Sequence, residues 1–252
     1  NVFKLSIDKY PKPEYGVDAW SNHLKSFGLG DFLGYDLPPG RKGHVPTAKF
    51  YKRFYPNGGW RSSTIISNSI GQGEISMTPI QLANMMATVA NEGYYYTPHI
   101  IKKIEGAEID KKFKIRHQTT IDKQYFKPVI DGLFDVYNLG TARGVRVEGI
   151  EICGKTGTAE NFTKINGVRT QLQDHSIFVA FAPRHDPKIA IAVFVENGYW
   201  GARWAGPIAS LMIEKYLKGT ISRTDLETKM LTQGLKDEYA KVISGKPFTI
   251  NK

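Results

Sequence analysis

The feature that most constrains this 252-residue chain is a set of three apolar, strand-length runs in its second half. They span about Glu148–Ala159, Ser176–Ala182 and Ile189–Val195. Pro183-Arg184-His185-Asp186-Pro187 between the last two is turn chemistry, and Asn161 to Asp174, with Gly167 inside it, reads as a polar hairpin loop. A helix from Gly206 to about Leu217 follows, with Gly219 as its stop and Ile208, Leu211, Met212 and Tyr216 expected to face inward. Three antiparallel strands followed by a covering helix make an α+β arrangement. At the end of the first run stands Cys153-Gly154-Lys155-Thr156-Gly157-Thr158-Ala159-Glu160, approached by apolar Val147, Ile150 and Ile152.

The preceding residues add helices. Val17, Trp20, Leu24 and Phe27 recur at helical spacing over Tyr15–Phe27, and Gly28 supplies a left-handed stop. Gly28 to Phe54 is rich in Gly and Pro and reads as an irregular excursion, with Pro56-Asn57-Gly58-Gly59 as a turn after it. Thr78, Pro79 and Gln81 stand as N-cap, first and third positions of a helix striped by Leu82, Met85, Met86, Val89 and Ala90 and ended by Gly93. Ser69-Ile70-Gly71-Gln72-Gly73 before it is a tight turn and not a phosphate loop, because no Lys-Ser/Thr pair follows the glycines. Tyr94 to Ile101 reads as extended. About Asp122–Asn138 is helical through Phe126, Val129, Ile130, Leu133 and Tyr137, and Gly140-Thr141-Ala142-Arg143-Gly144 is a loop. Thr224 to Ser244 reads as a charged, solvated helix.

Composition removes several function classes. The single cysteine, Cys153, rules out a disulfide framework and a zinc ribbon, and a buried apolar role is expected of it. The six histidines show no metal-ligand spacing, so neither a metal nor another cofactor is expected. A net charge of +10 favours anionic neighbours, but Lys and Arg are spread without an aromatic-basic motif, so no nucleic-acid partner is expected. No 18-residue uncharged apolar run occurs, and the chain starts with Asn, which reads as a processed or truncated end.

Taken in order, these pieces resemble the class B penicillin-binding proteins, most closely the elongation-type penicillin-binding protein 2 group. The resemblance covers about Asn1 to Leu217. It rests on Phe27-Gly28-Leu29-Gly30 with Tyr35-Asp36-Leu37-Pro38, and on Trp60, Ser69-Ile70-Gly71-Gln72-Gly73 and Thr78-Pro79-Ile80-Gln81. Gly140-Thr141-Ala142, Gly154 to Glu160, Phe181-Ala182-Pro183 and Val195-Glu196-Asn197-Gly198 complete it. Lys-Thr-Gly is one of three landmarks of the penicillin-recognising serine enzymes, beside Ser-x-x-Lys and a Ser-x-Asn type motif.

The resemblance implies a penicillin-binding/β-lactamase-like transpeptidase fold, an antiparallel sheet flanked by helices with its N-terminal part missing. Residues 1–218 would be the C-terminal part of the transpeptidase domain and 219–252 a charged helical extension. It implies a membrane-anchored D,D-transpeptidase that cross-links peptidoglycan stem peptides outside the cytoplasmic membrane and is the target of β-lactam antibiotics. Glycosyltransferase and elongation-complex proteins are the implied partners. Lys155 would supply positive charge for the substrate carboxylate, Thr156 its hydroxyl, Gly157 a bare strand edge and Thr158 a backbone N–H for the oxyanion hole. Asn1 would be the third residue of the Ser-x-Asn motif, contacting the substrate amide or the catalytic lysine. The resemblance makes Asn1 a catalytic residue together with Lys155, which would also tune the neighbouring proton network.

One landmark departs from the pattern. The chain contains Ser6-x-x-Lys9, but this follows the Ser-x-Asn position and lies too close to Pro11 and Pro13 to open a long core helix. The nucleophile and the first two strands of a five-stranded sheet are therefore expected upstream. Ser62, Ser63, Ser67 and Ser69 read as loop hydroxyls. Two other classes share parts of the pattern: a D,D-carboxypeptidase, β-lactamase or β-lactam sensor, and a non-catalytic cell-wall-binding module.

Overall fold

The computed structural model describes residues 2–38 and 40–236. Asn1 and the part of the C-terminal helix expected beyond Lys236 lie outside them. Two short helices, α1 (Val2–Asp8) and α2 (Pro13–Ser26), pack together with α3 (Ala48–Phe54) around Ile7, Val17, Tyr51, Trp60 and Ile65. Helix α3 corrects the irregular reading of Gly28–Phe54. Thr47 caps it by accepting from the Phe50 amide, and Tyr51 is buried against Trp60 at a ring separation of 5.0 Å. Its seven residues are too short for periodicity to announce it.

Helix α4 (Pro79–Ala90) forms as its residues dictate. The Thr78 hydroxyl accepts from the Gln81 amide and the Gln81 side chain accepts from the Thr78 amide, a complete capping box. The buried Gln81 also donates to the carbonyls of Asp31 and Lys42, at 2.7 and 2.9 Å, and so ties down the excursion before α3. Beyond it, β1 (Tyr94–Tyr96) pairs antiparallel with β2 (Arg116–Gln118), a strand that the polar sequence there conceals. Helix α5 (Phe126–Asn138) leaves Val129 half exposed, so only part of its expected stripe faces inward.

The central sheet is antiparallel, in the order β3 (Cys153–Ala159), β6 (His175–Ala182), β7 (Ile189–Val195). Strand β3 starts later than the apolar run suggests, because Val147 to Ile150 closes into a turn around Gly149 at φ 71°. The expected loop between β3 and β6 is instead a second hairpin, β4 (Phe162–Ile165) and β5 (Val168–Gln171). Its turn is Asn166-Gly167, both at positive φ, which matches the twist of a two-residue hairpin.

Both faces of the sheet are covered by helices, as the resemblance implies; the strand-and-helix pattern alone predicts one covering helix. On β6, Phe178, Ala180 and Ala182 face one core with Ile191, and Val179 and Phe181 face another with Met86, Val89, Phe126 and Cys153. The first core is closed by α6 (Ala205–Lys218) and the second by α4 and α5. Helix α6 corrects the expected facing: Met212 and Tyr216 are exposed, whereas Ala209, Ile213 and Glu214 are buried. Small residues let α6 approach the sheet closely, and Glu214 is paired with Arg223, so the buried stripe runs one position away from the most apolar one. Gly219 ends α6 in the left-handed region, and α7 (Thr224–Thr232) follows; it corrects the single helix expected over Thr224–Ser244, since Gln233 is extended and Gly234 is not helical.

Candidate active site

Strand β3 forms one edge of the sheet, so along it alternate backbone amides and carbonyls face away from β6. It carries four of the five expected site residues; Asn1 is the fifth and lies outside the described residues. Thr156, Gly157 and Thr158 sit opposite Phe178, Ile177 and Ser176 of β6. Lys155 and Thr158 are exposed, and Thr156 and Gly157 are half-buried. The Lys155 ammonium donates to the Thr156 carbonyl at 2.6 Å and lies 3.5 Å from the Thr156 hydroxyl. Among the described residues no carboxylate is paired with it, so its charge is available to an anion.

A residue beyond that set joins the site. The Thr141 hydroxyl shares a hydrogen bond of 2.8 Å with the Thr156 hydroxyl, bridging the loop after α5 to β3. Its only signal in the sequence is the Gly140-Thr141-Ala142 triplet, which by itself reads as a loop. The buried Ala142 and Val145 anchor that loop in the core. The Tyr137 hydroxyl accepts from the Val147 amide at 2.7 Å and donates to the Ile150 carbonyl at 2.9 Å, fixing the approach to β3.

The strand is backed by main chain. Gly201 is buried so closely against β3 and β6 that a Cβ there would stand 2.2 Å from the Ile177 carbonyl oxygen and 2.9 Å from the Gly157 nitrogen. Ser176, fully buried, donates to the Trp200 carbonyl and accepts from the Ala205 amide, which pins this segment and the start of α6 to β6. Cys153 begins β3 with its thiol in the core, where burial pushes it up to about 12 and leaves it no nucleophilic role.

The other serine candidates are placed away from such chemistry. Ser6 donates to the Phe3 carbonyl at 2.7 Å within α1, and the Lys9 ammonium lies over the Tyr10 ring. Ser69 donates to the Ile66 carbonyl. Among the described residues, no group of His, Cys, Asp or Glu side chains could hold a metal ion, and no helix is long and apolar enough to cross a membrane.

The helix-covered antiparallel sheet with its Lys-Thr-Gly edge strand matches the α+β transpeptidase fold of penicillin-binding proteins of known structure. Residues 2–214 match the family model "Penicillin binding protein transpeptidase domain", and the chain belongs to that family. It is 33% identical to peptidoglycan D,D-transpeptidase MrdA of Acinetobacter baumannii, over 88% of this chain and 35% of that protein. A crystal structure of Pseudomonas aeruginosa PBP2 superposes with a TM-score of 0.67 at 28% identity, covering 82% of this chain and 44% of that one. Penicillin-binding protein A of M. tuberculosis, in a cephalosporin acyl-enzyme complex, gives 0.60 at 28% identity over 80% and 44% of the two chains. The chain spans about a third of the length of the curated relatives MrdA that it matches.

Proposed function

We propose that this chain is the substrate-holding part of a peptidoglycan D,D-transpeptidase of the elongation type, acting at the extracytoplasmic face of the cell membrane. The observation that carries the reading is the exposed edge of β3, where an unpaired lysine, a threonine pair and a bare glycine follow one another. An extended peptide ending in D-alanyl-D-alanine would lie along that edge as an added strand. Its carboxylate would meet the Lys155 ammonium and the Thr156 hydroxyl, with Thr141 orienting the latter. The Thr158 amide would donate to the oxyanion as the carbonyl becomes tetrahedral. A β-lactam would present its carboxylate and its strained amide to the same groups.

The attacking serine and its lysine partner would come from sequence outside residues 1–252, as would strands that cover β7. The run Ile189–Val195 has no charged residue and pairs only with β6 among the described residues. An uncharged apolar edge is ordinarily covered. Glycan-polymerising and elongation-complex partners would be those of the longer enzyme. The transpeptidase reading is supported by the similarity to named D,D-transpeptidases and to a protein solved as a β-lactam acyl-enzyme, and the partner reading by the similarity to a chain of a peptidoglycan synthase complex.

Fluorescent penicillin labelling tests the assignment. The 252-residue chain should not become covalently labelled, whereas a longer polypeptide with an upstream Ser-x-x-Lys should, and Lys155→Ala or Thr156→Ala should suppress it. Labelling of the 252-residue chain that Ser6→Ala abolishes would overturn the reading. In the longer enzyme, an acyl-enzyme resolved by water in preference to an added amine would indicate a carboxypeptidase or β-lactamase. Peptidoglycan binding without acylation would indicate a non-catalytic module.

A further inference from the structure

Arg223 lies beyond the stretch matched by the family model, yet it reaches back to the loop that carries Thr141. Its Nε donates to Glu214 Oε2 at 2.9 Å, and one terminal nitrogen donates to the Ser210 hydroxyl at 3.1 Å. The same nitrogen lies 3.4 Å from the Val145 carbonyl and 3.3 Å from the Arg146 carbonyl. Glu214 is fully buried, and its other oxygen accepts from the Ser222 amide and hydroxyl at 3.1 and 2.5 Å. The turn after α6 is thereby folded onto α6, with the guanidinium fork wedged between that helix and residues 145–146. A guanidinium suits this position because its planar, pre-oriented donors serve several acceptors at once.

The backbone it holds is short and stiff. Arg143–Val145 is a single tight helical turn, with the Val145 amide donating to the Ala142 carbonyl at 3.1 Å, and Ala142 is fully buried. Thr141 precedes that turn and bonds Thr156. We infer that Arg223, held by Glu214, is a positioning residue: it fixes the carbonyls of Val145 and Arg146 and thereby sets the Thr141 hydroxyl against Thr156 on β3. The contact network stands on geometry alone, and its consequence for turnover rests on the proposed role of Thr156.

Methyl NMR of the full chain with labelled threonine tests it. In Arg223→Ala, the Thr141 and Thr156 methyl signals should shift and broaden. A Met86→Ala control, destabilised in the opposite core, should leave both in place at a matched loss of melting temperature. Unmoved Thr141 and Thr156 signals in a folded Arg223→Ala protein would overturn the inference, because Arg223 would then only staple α7. If Arg223→Ala does not fold, Arg223→Lys retains a cation without the fork, and the same signals should move in the same direction by less. Unmoved signals in Arg223→Lys would refute it there. In a longer polypeptide that is acylated by penicillin, Arg223→Lys should slow acylation roughly tenfold through a misplaced Thr156 contact. If the signals move but neither Arg223→Lys nor Thr156→Ala alters acylation, the clamp stands and the substrate role of Thr156 falls.

Discussion

Gly201 and Gly157 face each other across a main-chain contact, and substituting each by alanine separates packing from substrate approach. A Cβ on Gly201 would stand 2.2 Å from the Ile177 carbonyl oxygen and 2.8 and 2.9 Å from the Gly157 oxygen and nitrogen. All three obstacles are backbone atoms of paired strands, so no rotamer change relieves them, and the segment before α6 would have to move away from the sheet. Overpacking of this kind costs about 1–3 kcal/mol, and three backbone clashes place Gly201→Ala at about 3 kcal/mol. On Gly157, by contrast, the nearest atom to a Cβ is Ile177 Cβ at 3.2 Å, which needs a shift of only a few tenths of an ångström. Relief of backbone entropy on replacing a strand glycine is worth roughly 0.5–1 kcal/mol, so Gly157→Ala should be close to neutral. For a chain of this size each kcal/mol moves the melting temperature by about 2–4 °C, which predicts a fall of about 6–12 °C for Gly201→Ala and little for Gly157→Ala. Thermal melts followed by circular dichroism would measure both. A Gly201→Ala chain that melts with the unsubstituted one, or a Gly157→Ala chain that is the less stable of the two, would refute the close packing of Gly201. In a penicillin-acylated longer polypeptide, Gly157→Ala should nevertheless lose acylation, because its methyl would stand where the peptide is proposed to lie.

Acid stability should report on the buried carboxylate. Burial raises the Glu214 pKa, but the Ser222 hydroxyl and amide and the Arg223 guanidinium outweigh that and hold the carboxyl below the usual range. A depressed carboxyl contributes fully above its unfolded pKa of about 4.3 and loses that contribution as pH falls through the folded value, so urea midpoints should drop below about pH 4. Glu214→Gln should lower stability at pH 7 and flatten this acid-side slope; an unchanged slope would exclude Glu214 as its source. Cys153 should be inert to a thiol reagent at pH 8 in the native chain and react fully in urea, and rapid native labelling would contradict its burial. Thr78→Ala should cost about 1 kcal/mol by removing the cap of α4, with Thr78→Ser retaining most of it, as denaturant titration would show.

The parts of the fold legible in the sequence are those in which one local rule decides the outcome. Thr78, Pro79 and Gln81 specify where α4 begins because capping chemistry is local. Strand β7 keeps its expected bounds because its apolar run ends on turn residues at both sides. Elsewhere, long-range contacts decide. Helix α3 depends on Tyr51 meeting Trp60, and β2 exists because Arg116–Gln118 has β1 to pair with. Neither partner is visible from the segment itself. Met212 and Tyr216 look more apolar than Glu214, yet Glu214 is the buried one because Arg223 and Ser222 neutralise and solvate it from another element.

The same distinction accounts for the candidate site. Lys155, Thr156, Gly157 and Thr158 are consecutive, so one strand suffices to bring them together, and a resemblance carried by a short motif could place them. Thr141 and Gly201 reach the site through other elements: a loop hydroxyl arriving from the end of α5, and main chain pressed onto the back of β3 and β6. What they add is stiffness. An edge strand held only by β6 would bend under an incoming peptide, and part of the binding energy would go into ordering it. With Gly201 against its backbone and Thr141 bonded to Thr156, β3 is positioned before anything binds. If β3 holds the substrate as proposed, a strand fixed from two directions would present its amides and hydroxyl where charge develops, as stabilising an oxyanion without reorganisation requires.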